Sequence, residues 1–362
     1  MNTTEPTPLA RALAARISRD GPISVRAYMD ACLNDPEHGY YRTRRAIGAK
    51  EDFVTAPEIS QVFGELIGLW AAVVWQQMGS PARVRLVELG PGRGTLMADA
   101  LRAAQKVPAF LAAAEIVLVE PNAELEAVQR KTLAEQSVPV RWVGELAALE
   151  AVPGGATIVI ANEVLDVLPI TQLQRTESGW VERGVGVNDA GRLVFGVAAH
   201  GIAAPSDAGS ARLGDIVERR STAEIAGKLA QLAAAGPLAA LFIDYGYEGP
   251  AVGDTLQAVR AQHYEDPLAS PGVADLTAHV DFTAFAADAR AQGLAVDGPV
   301  PQATFLGSLG IVERTSRLMA ANPTNAAGLE AATARLTAPT GMGTLFKAIG
   351  VRSEGVPRLP GL

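Results

Sequence analysis

The sequence predicts an α/β fold with a doubly wound, mostly parallel sheet, an N-terminal helical region and an antiparallel β insertion. Strand-like apolar runs alternate with helical repeats from residue 83 to residue 161, and the run from Ala156 to Ala161 is continuously apolar, as in buried parallel strands. From Ile170 to Val197, three strand-like runs follow one another with only short turns between them. This second pattern predicts antiparallel pairing.

Residues 1–80 are predicted to form a helical region with a loop that contributes to the functional site. The turn signal Asp20-Gly21-Pro22 separates two expected short helices within residues 7–33. Residues 34–55, rich in glycine, tyrosine and charge, are interpreted as a long ordered loop, a kind of segment that often carries function. Apolar residues at helical spacing predict one helix from Pro57 to Met78.

Residues 81–350 are assigned to one α/β domain with insertions near residues 170–215 and 246–280, and residues 351–362 to a C-terminal tail. Residues 246–278 are expected to be mostly loop. The predicted elements of the domain are strands at 83–89, 115–120, 138–143, 156–161, 170–175, 180–187, 192–197 and 238–243, and helices at 95–104, 123–135, 222–235 and 282–292.

The composition limits the classes of partner. The chain has 362 residues, 48% of them hydrophobic, which is enough for a substantial core. Its net charge of -8 argues against general binding to nucleic-acid phosphates and suits a small ligand or a basic peptide better. The single cysteine, Cys32, rules out an internal disulfide, and the four histidines lack metal-ligand spacing, so no metal is expected. No apolar run is long enough for a membrane span.

The sharpest motif is the run Glu88-Leu89-Gly90-Pro91-Gly92-Arg93-Gly94, which follows a predicted strand and opens a predicted helix. Glycines let a ligand approach the backbone, and a helix N-terminus offers free N–H groups. Dinucleotide loops prefer G-x-G-x-x-G, but Thr95 occupies the position of their third glycine. The run instead resembles the loop of S-adenosylmethionine (SAM) methyltransferases, although an ordinary glycine-rich turn is the alternative. The candidate cofactor-binding residues are Glu88, Gly90, Pro91, Gly92 and Gly94.

Two later strand ends supply further cofactor candidates. Glu120 ends the next predicted strand, where a carboxylate can accept hydrogen bonds from both ribose hydroxyls. It lies thirty residues after Gly90, somewhat more than the roughly twenty of dinucleotide domains. Glu145 and Leu146 follow the third strand, where methyltransferases often hold adenine; a plain surface position for Glu145 is an equally good interpretation.

An acidic turn, Asn162 to Pro169, follows the most strongly predicted buried strand. Ligands of open α/β sheets lie outside the carboxyl ends of the strands, so Asn162 is a cofactor candidate, and Glu163 and Asp166 are candidate catalytic residues. Carboxylates match a guanidinium bidentately and can accept its proton during methyl transfer. The alternative is that Asp166 caps the following turn and Glu163 is a helix-start charge.

Several blocks extend beyond a generic methyltransferase core. They are Gly21-Pro22-Ile23-Ser24-Val25, Tyr28-Met29, Pro36, His38-Gly39-Tyr40-Tyr41, the run from Asp52 to Glu65 with Pro57-Glu58-Ile59-Ser60-Gln61 at its centre, Asp244-Tyr245-Gly246, the run from Ala274 to Phe282, and Gln302 to Leu306. Together with the glycine run and the acidic turn, they resemble the MidA-like family over roughly residues 20 to 350. This family comprises mitochondrial complex I assembly-factor arginine methyltransferases and their bacterial relatives.

The resemblance implies a Rossmann-like SAM methyltransferase core with added helical and β elements, and SAM as the cofactor. In the mitochondrial members, it implies a protein substrate: an arginine of the complex I 49 kDa-type subunit, dimethylated symmetrically. His279 stands where an acidic residue is expected in relatives. For Asp244 and for the region of Asp275, a structural role in a turn is an open alternative. The candidate substrate-binding residues are Tyr40, Pro57, Glu58, Ser60, Asp244, Tyr245, Asp275 and His279.

The leading hypothesis is therefore a protein-arginine N-methyltransferase that acts on a complex I subunit and aids its assembly. Its alternatives are a SAM-binding assembly factor with little turnover and a methyltransferase with another acceptor. An NAD-type oxidoreductase is disfavoured by the Thr95 spacing and by the lack of a clear catalytic His, Lys and Tyr set. The start of the sequence does not resemble a transit peptide, so a bacterial cytoplasmic protein is expected, with its oligomeric state open.

Overall fold

The computed structural model describes residues 5–43, 54–205, 208, 211–249 and 251–362. The chain divides into two compact units, each built from three separate segments. The antiparallel-sheet unit comprises residues 1–53, 165–221 and 247–283, and the parallel-sheet unit comprises residues 54–164, 222–246 and 284–362. These bounds differ from the predicted segments 1–80, 81–350 and 351–362.

The α-helices in the described ranges are numbered along the chain. They are α1 (Pro8–Asp20), α2 (Val25–Asn34), α3 (Tyr40–Thr43), α4 (Ala56–Ile59), α5 (Gln61–Gln77), α6 (Thr95–Ala104), α7 (Pro108–Ala113), α8 (Ala123–Thr132), α9 (Ala223–Ala235), α10 (Phe282–Ala291), α11 (Gln302–Ser308), α12 (Ile311–Ala321), α13 (Ala326–Thr337) and α14 (Met342–Leu345). Short 3-10 helices lie at Leu146–Ala148 and Pro323–Asn325.

The strands are numbered in the same way. They are β1 (Ile23–Ser24), β2 (Val84–Leu89), β3 (Ala114–Val119), β4 (Val140–Val143), β5 (Ala156–Asn162), β6 (Ile170–Thr176), β7 (Gly179–Val187), β8 (Leu193–Ile202), β9 (Ile216–Arg220), β10 (Leu238–Tyr247), β11 (Gln257–Arg260), β12 (His263–Glu265), β13 (Asp275–Thr277), β14 (Val280–Asp281), β15 (Ala295–Pro301) and β16 (Phe346–Arg352).

The parallel-sheet unit contains the doubly wound sheet that the sequence predicts. Its strand order is β15-β16-β10-β5-β2-β3-β4, and the five strands from β10 to β4 are parallel. Strands β2 and β5 lie inside this sheet, which explains their nearly continuous apolar sequence. The prediction of a mostly parallel sheet is confirmed. The antiparallel strands β15 and β16 were not predicted, because the sequence pattern of the C-terminal part of the chain indicates short helices and turns.

Helix α5 belongs to the parallel-sheet unit, and its residues Phe63 and Ile67 are fully buried. The predicted single helix from Pro57 to Met78 is wrong at its start, because the chain leaves helical geometry at Ser60, with φ -151° and ψ 124°. The Ser60 hydroxyl then accepts a hydrogen bond from the Val62 N–H at 3.2 Å and caps α5. Val73 is one of the apolar residues whose helical spacing predicted this helix, but it is 43% exposed.

The antiparallel-sheet unit carries the predicted β insertion. Strands β6, β7 and β8 are confirmed, while β1 and β9 extend the sheet. Helices α1 and α2 bury Leu13, Tyr28 and Cys32 in this unit's core. The mostly-loop prediction for residues 246–278 is wrong in part, because β12, β11 and β13 form a small antiparallel sheet there. In the predicted loop of residues 34–55, α3 is present, and residues 44–53, with Asp52 and Phe53 of the resemblance, lie outside the described ranges.

Candidate functional site

The glycine loop joins β2 to α6 at the carboxyl end of β2. Gly90, Gly92 and Gly94 all have left-handed φ values, of 60°, 53° and 81°, and residues with a Cβ resist this region. A Cβ built at Gly92 meets no atom of the described residues within 4 Å, so these residues leave open space against this stretch of backbone. The N-cap of α6 is Gly94, which has no side chain to cap the helix. The loop therefore offers bare backbone beside a helix N-terminus, as a bound nucleoside requires.

Glu88 is a buried carboxyl at the end of β2. It is 3% exposed, and its neighbours in register are Leu118 on β3 and Ile160 on β5. Its Oε2 atom is buried and has no hydrogen-bond partner among the residues that the structure describes. Burial raises the pKa of Glu88 to about 8. An unused acceptor two residues before Gly90 fits a ligand that brings a cationic or N–H donor group.

Glu120 is buried immediately after β3. Its Oε1 accepts a hydrogen bond from the Asn122 N–H at 2.8 Å, and its Oε2 accepts one from Gln129 Nε2 at 2.9 Å. Gln129, on α8, also donates to the Gly92 carbonyl at 2.8 Å, which connects Glu120 to the glycine loop. Sequence reasoning missed Gln129 and Asn122, although Asn122 stands at a recognisable N-cap position before α8.

Glu145 and Leu146, the adenine candidates, lie at the 3-10 helix after β4. Glu145 is exposed and Leu146 is half-buried. The Glu120 N–H donates to the Val143 carbonyl at 2.9 Å, so the end of β4 is joined to the Glu120 turn. The structure thus places both candidates shortly after the strand end that contacts Glu120.

Glu163 follows β5 directly and has a φ of 55°, an uncommon conformation for a non-glycine residue. Strained backbone of this kind is concentrated at functional sites. The Glu163 N–H donates to the Ile243 carbonyl at 2.8 Å. Its Oε1 atom accepts hydrogen bonds from Asn162 Nδ2 at 3.0 Å and from the Ala56 N–H at 3.4 Å. The half-buried carboxylate is therefore held in one place at the carboxyl end of the sheet.

Asp244 supports the turn that follows Glu163. Its Oδ2 accepts a hydrogen bond from the Val164 N–H at 3.2 Å, and its Oδ1 accepts one from the Tyr245 N–H at 2.8 Å. Asp244 is buried, and the buried Tyr245 ring packs against Phe346 at a centroid distance of 5.3 Å. These contacts give Asp244 and Tyr245 structural roles. For Asp244, a structural role in a turn was the alternative to substrate binding in the sequence analysis.

The block around Pro57 reaches the start of α6. Glu58 is exposed, and its Oε1 accepts a hydrogen bond from Thr95 Oγ1 at 2.5 Å. Pro57 is half-buried at the start of α4, while Ser60 caps α5. The structure thus brings Glu58 to the first residue after the glycine loop and gives Ser60 a helix-capping role.

The remaining candidates, Tyr40, Asp166, Asp275 and His279, belong to the antiparallel-sheet unit. The Tyr41 hydroxyl donates to both carboxyl oxygens of Asp275, at 3.1 and 3.3 Å. Burial, and then the charges of Asp275 and Asp166, raise the pKa of Tyr41 well above its usual value. The Tyr40 ring stands edge-on to that of Tyr41 at 5.0 Å. Two buried carboxyls and two tyrosine rings therefore occur near one another within this unit.

Arg220 holds the backbone of two segments in the same unit. Its guanidinium donates to the carbonyls of Asp166, Leu168, Ala278 and His279 at 2.8 to 3.0 Å. His279 is half-buried, and its pKa is lowered from 6.5, mainly by burial. The imidazole is therefore less easily charged than an exposed histidine.

Within residues 5–43, 54–205, 208, 211–249 and 251–362, no cluster of three or more His, Cys, Asp or Glu side chains has an arrangement that could bind a metal ion. Across the same residues, none of the helices combines the length and apolar character needed to cross a bilayer.

The bare glycine loop, buried Glu88 and the Glu120 turn on a doubly wound sheet form the arrangement expected of a SAM-dependent methyltransferase. Residues 66–300 match the family described as "Putative S-adenosyl-L-methionine-dependent methyltransferase", and the chain belongs to this family. It is 39% identical to the mouse protein arginine methyltransferase NDUFAF7, mitochondrial, across 86% of this chain and 76% of the relative. The zebrafish protein of the same name is 36% identical, across 94% and 85%.

A solved structure agrees with these relatives. It is the crystal structure of a "likely methyl transferase" from Burkholderia thailandensis, bound to S-adenosyl-homocysteine. This protein is 31% identical to the present chain, and the two structures match with a TM-score of 0.86 over 99% of this chain and 97% of that chain. The predicted family, fold class, enzyme class and cofactor are therefore confirmed.

Proposed function

We propose that this enzyme methylates a side-chain nitrogen of arginine in a protein substrate. The curated relatives, which carry the name protein arginine methyltransferase, support the acceptor. The observation that carries the proposal is the Glu163 carboxylate, held by Asn162 and Ala56 at the end of β5. The MidA-like resemblance supports a complex I subunit as the protein substrate and a role in its assembly.

The chemistry of arginine explains why a carboxylate belongs at this place. A guanidinium is charged at neutral pH and is a poor nucleophile. When bound, SAM supplies an electrophilic methyl group on a sulfonium. Glu163 pairs with the guanidinium, keeps its positive charge away from the reacting nitrogen, and accepts the proton that this nitrogen loses as the new N–C bond forms and the C–S bond breaks. Alignment of the acceptor nitrogen supplies much of the rate.

The other site residues are assigned within the same proposal. The cofactor residues are Glu88, Gly90, Pro91, Gly92, Gly94, Glu120, Glu145, Leu146 and Asn162. Within the antiparallel-sheet unit, Asp166 is assigned as a catalytic carboxylate, and Tyr40, Asp275 and His279 are assigned to acceptor binding. Within the parallel-sheet unit, Pro57 and Glu58 are assigned to acceptor binding. Carboxylates combined with tyrosine rings suit a guanidinium, which forms ion pairs and stacks on aromatic faces. A cytoplasmic location stays a prediction; the curated relatives are named mitochondrial.

Glu163→Gln tests the proposed chemistry, since the amide keeps the shape of the side chain and loses its charge. We expect the methylation rate to fall by at least about 100-fold, because proton transfer and charge placement are both lost. Affinity for S-adenosylhomocysteine should change by no more than about twofold, because Glu163 is assigned to the acceptor. The assay combines radiolabelled SAM, purified complex I subunits and mass spectrometry of the labelled residue.

Glu135→Gln, the same substitution at an exposed position, serves as the matched control and should leave the rate unchanged. Full methylation by Glu163→Gln, or label on a residue other than arginine, would contradict the proposal. If SAM binds, no arginine is labelled and Glu163→Gln still supports complex I assembly, the protein is instead an assembly factor with little turnover.

A further inference from the structure

Gln129 is a fully buried amide on α8 that makes three hydrogen bonds to three different parts of the parallel-sheet unit. Its Nε2 donates to the Gly92 carbonyl at 2.8 Å and to Glu120 Oε2 at 2.9 Å. Its Oε1 accepts from Trp142 Nε1 on β4 at 2.8 Å. One side chain therefore connects the glycine loop, the carboxyl end of β3 and strand β4.

The chemistry of these partners permits only one orientation of the amide. An indole N–H is a donor only, so the amide oxygen must face Trp142. A backbone carbonyl and an ionised carboxylate are acceptors only, so the amide nitrogen must face Gly92 and Glu120. Both N–H groups and the oxygen of Gln129 are thereby used within the protein.

The neighbours of Gln129 strengthen this arrangement. A Cβ built at Gly94 would lie 3.5 Å from Gln129 Cγ, so the loop and α8 approach closely where the loop has no side chain. The guanidinium of Arg130, the next residue, lies 4.0 Å from the centroid of the Trp142 ring and covers it. Asn122 holds the other oxygen of Glu120. The Glu120 carboxylate is thus fixed from both sides.

We propose that Gln129 is a positioning residue for cofactor binding. It sets the distance and orientation of the Glu120 carboxylate relative to the glycine loop, so that both are in place before the adenosyl group arrives. Gln129 acts through Gly92 and Glu120 rather than by touching the ligand. The inference rests on the proposed assignment of Glu120 to the ribose hydroxyls and is independent of the methyl acceptor.

The expected effect follows from the bonds that are lost. Without the amide, the Glu120 carboxylate loses a donor and the Gly92 carbonyl loses another, so the ligand must order both groups as it binds. We expect Gln129→Met to weaken binding of S-adenosylhomocysteine by about 10-fold to 100-fold. Because Glu120 is then poorly oriented, the contribution of the ribose hydroxyls should fall as well.

Calorimetric titration with S-adenosylhomocysteine and its 2′-deoxy analogue measures both quantities. The wild-type enzyme should prefer the hydroxylated ligand by about tenfold or more, and Gln129→Met should reduce this preference to about twofold. Gln302→Met is the matched control: Gln302 is also a fully buried amide of the parallel-sheet unit, but its Nε2 donates to the Leu336 carbonyl. This control should keep wild-type affinity and preference, which separates positioning from the general cost of losing a buried amide.

Trp142→Phe provides a milder variant, because it keeps Gln129 and removes the indole donor that orients the amide, together with part of the ring that Arg130 covers. We expect a loss of affinity of about threefold to tenfold and a reduced ribose preference. If the wild-type enzyme prefers the hydroxylated ligand and both variants prefer it equally strongly, Gln129 has no positioning role, although Glu120 keeps its assignment. If the wild-type enzyme shows no preference, the ribose assignment of Glu120 fails, and the proposal for Gln129 fails with it.

Discussion

Gly92 shows how strongly the glycine loop depends on the conformation of a single residue. Its φ of 53° is unfavourable for a β-branched residue, at a cost of about 1–2 kcal/mol or more. A Cβ at this position would enter the space beside the loop that the described residues leave open. We therefore expect Gly92→Val to weaken S-adenosylhomocysteine binding by at least about 100-fold, as measured by calorimetry, because the new side chain occupies the place of the ligand.

Gly154→Val is the matched control for this prediction. Gly154 also has a left-handed φ, 67°, and open space around its Cα, but it precedes β5 and lies at the opposite end of the strands from the glycine loop. The control should lose similar stability and keep its affinity within about twofold. Equal affinities in the two variants would refute the loop assignment.

At the scale of single residues, the sequence located the candidate site residues that occur in short motifs. The glycine run, Glu120 and Glu163 could be found because each follows directly after a recognisable strand. Gln129 could not, because its three partners lie between 9 and 37 residues away along the chain and a glutamine in a helix usually faces water. The left-handed φ of Glu163 likewise depends on the neighbouring strand that receives its N–H group.

Ser60 illustrates how a single side chain determines the start of an element. It is extended, it ends α4, and its hydroxyl caps α5. We expect Ser60→Ala to lower the free energy of unfolding by about 0.5–2 kcal/mol, measured by urea denaturation, because an N–H group in the first turn of α5 loses its acceptor. Ser60→Asp retains an acceptor and should stay within about 0.5 kcal/mol of the wild type. An unchanged denaturation midpoint for Ser60→Ala would contradict the capping role.

The elements predicted most accurately are those with long, regular hydrophobic patterns. The helix at Thr95–Ala104 matches its predicted bounds, and the buried strand at 156–161 is only one residue longer in the structure. Strand β1 has two residues and β13 has three, which is too short for a periodic signal. Strand β15 contains Gly298, Pro299 and Pro301, residues that indicate a turn, and it becomes a strand through its pairing with β16.

The pH dependence of stability is a property of the whole molecule to which Glu88 contributes. The pKa of Glu88 rises from 4.5 to about 8 in the folded protein. Between pH 4.5 and about pH 8, the folded protein therefore holds a proton on Glu88 that the unfolded chain has released. The free energy of unfolding consequently falls as pH rises through this window, by up to about 1.4 kcal/mol per pH unit. A glutamine at this position carries no such proton.

We therefore expect Glu88→Gln to gain stability relative to the wild type between pH 5 and pH 9, by an amount on the order of 3 kcal/mol. Urea denaturation at pH 5, 7 and 9 measures the difference. Glu135→Gln makes the same substitution at an exposed residue and should show a nearly constant difference. Parallel stability curves for Glu88→Gln and the wild type would show that Glu88 is ionised throughout.

Strand β16 is the last strand along the chain, yet it lies inside the sheet, between β15 and β10. During translation, the ribosome supplies Phe346–Arg352 only after every other strand has been made. Until then, the edges of β10 and β15 that pair with β16 lack their partner strand, and such edges promote aggregation. A premature stop codon upstream of β16 would therefore leave open the sheet that carries the glycine loop, and the cell would receive a product prone to aggregation rather than a slightly shorter enzyme.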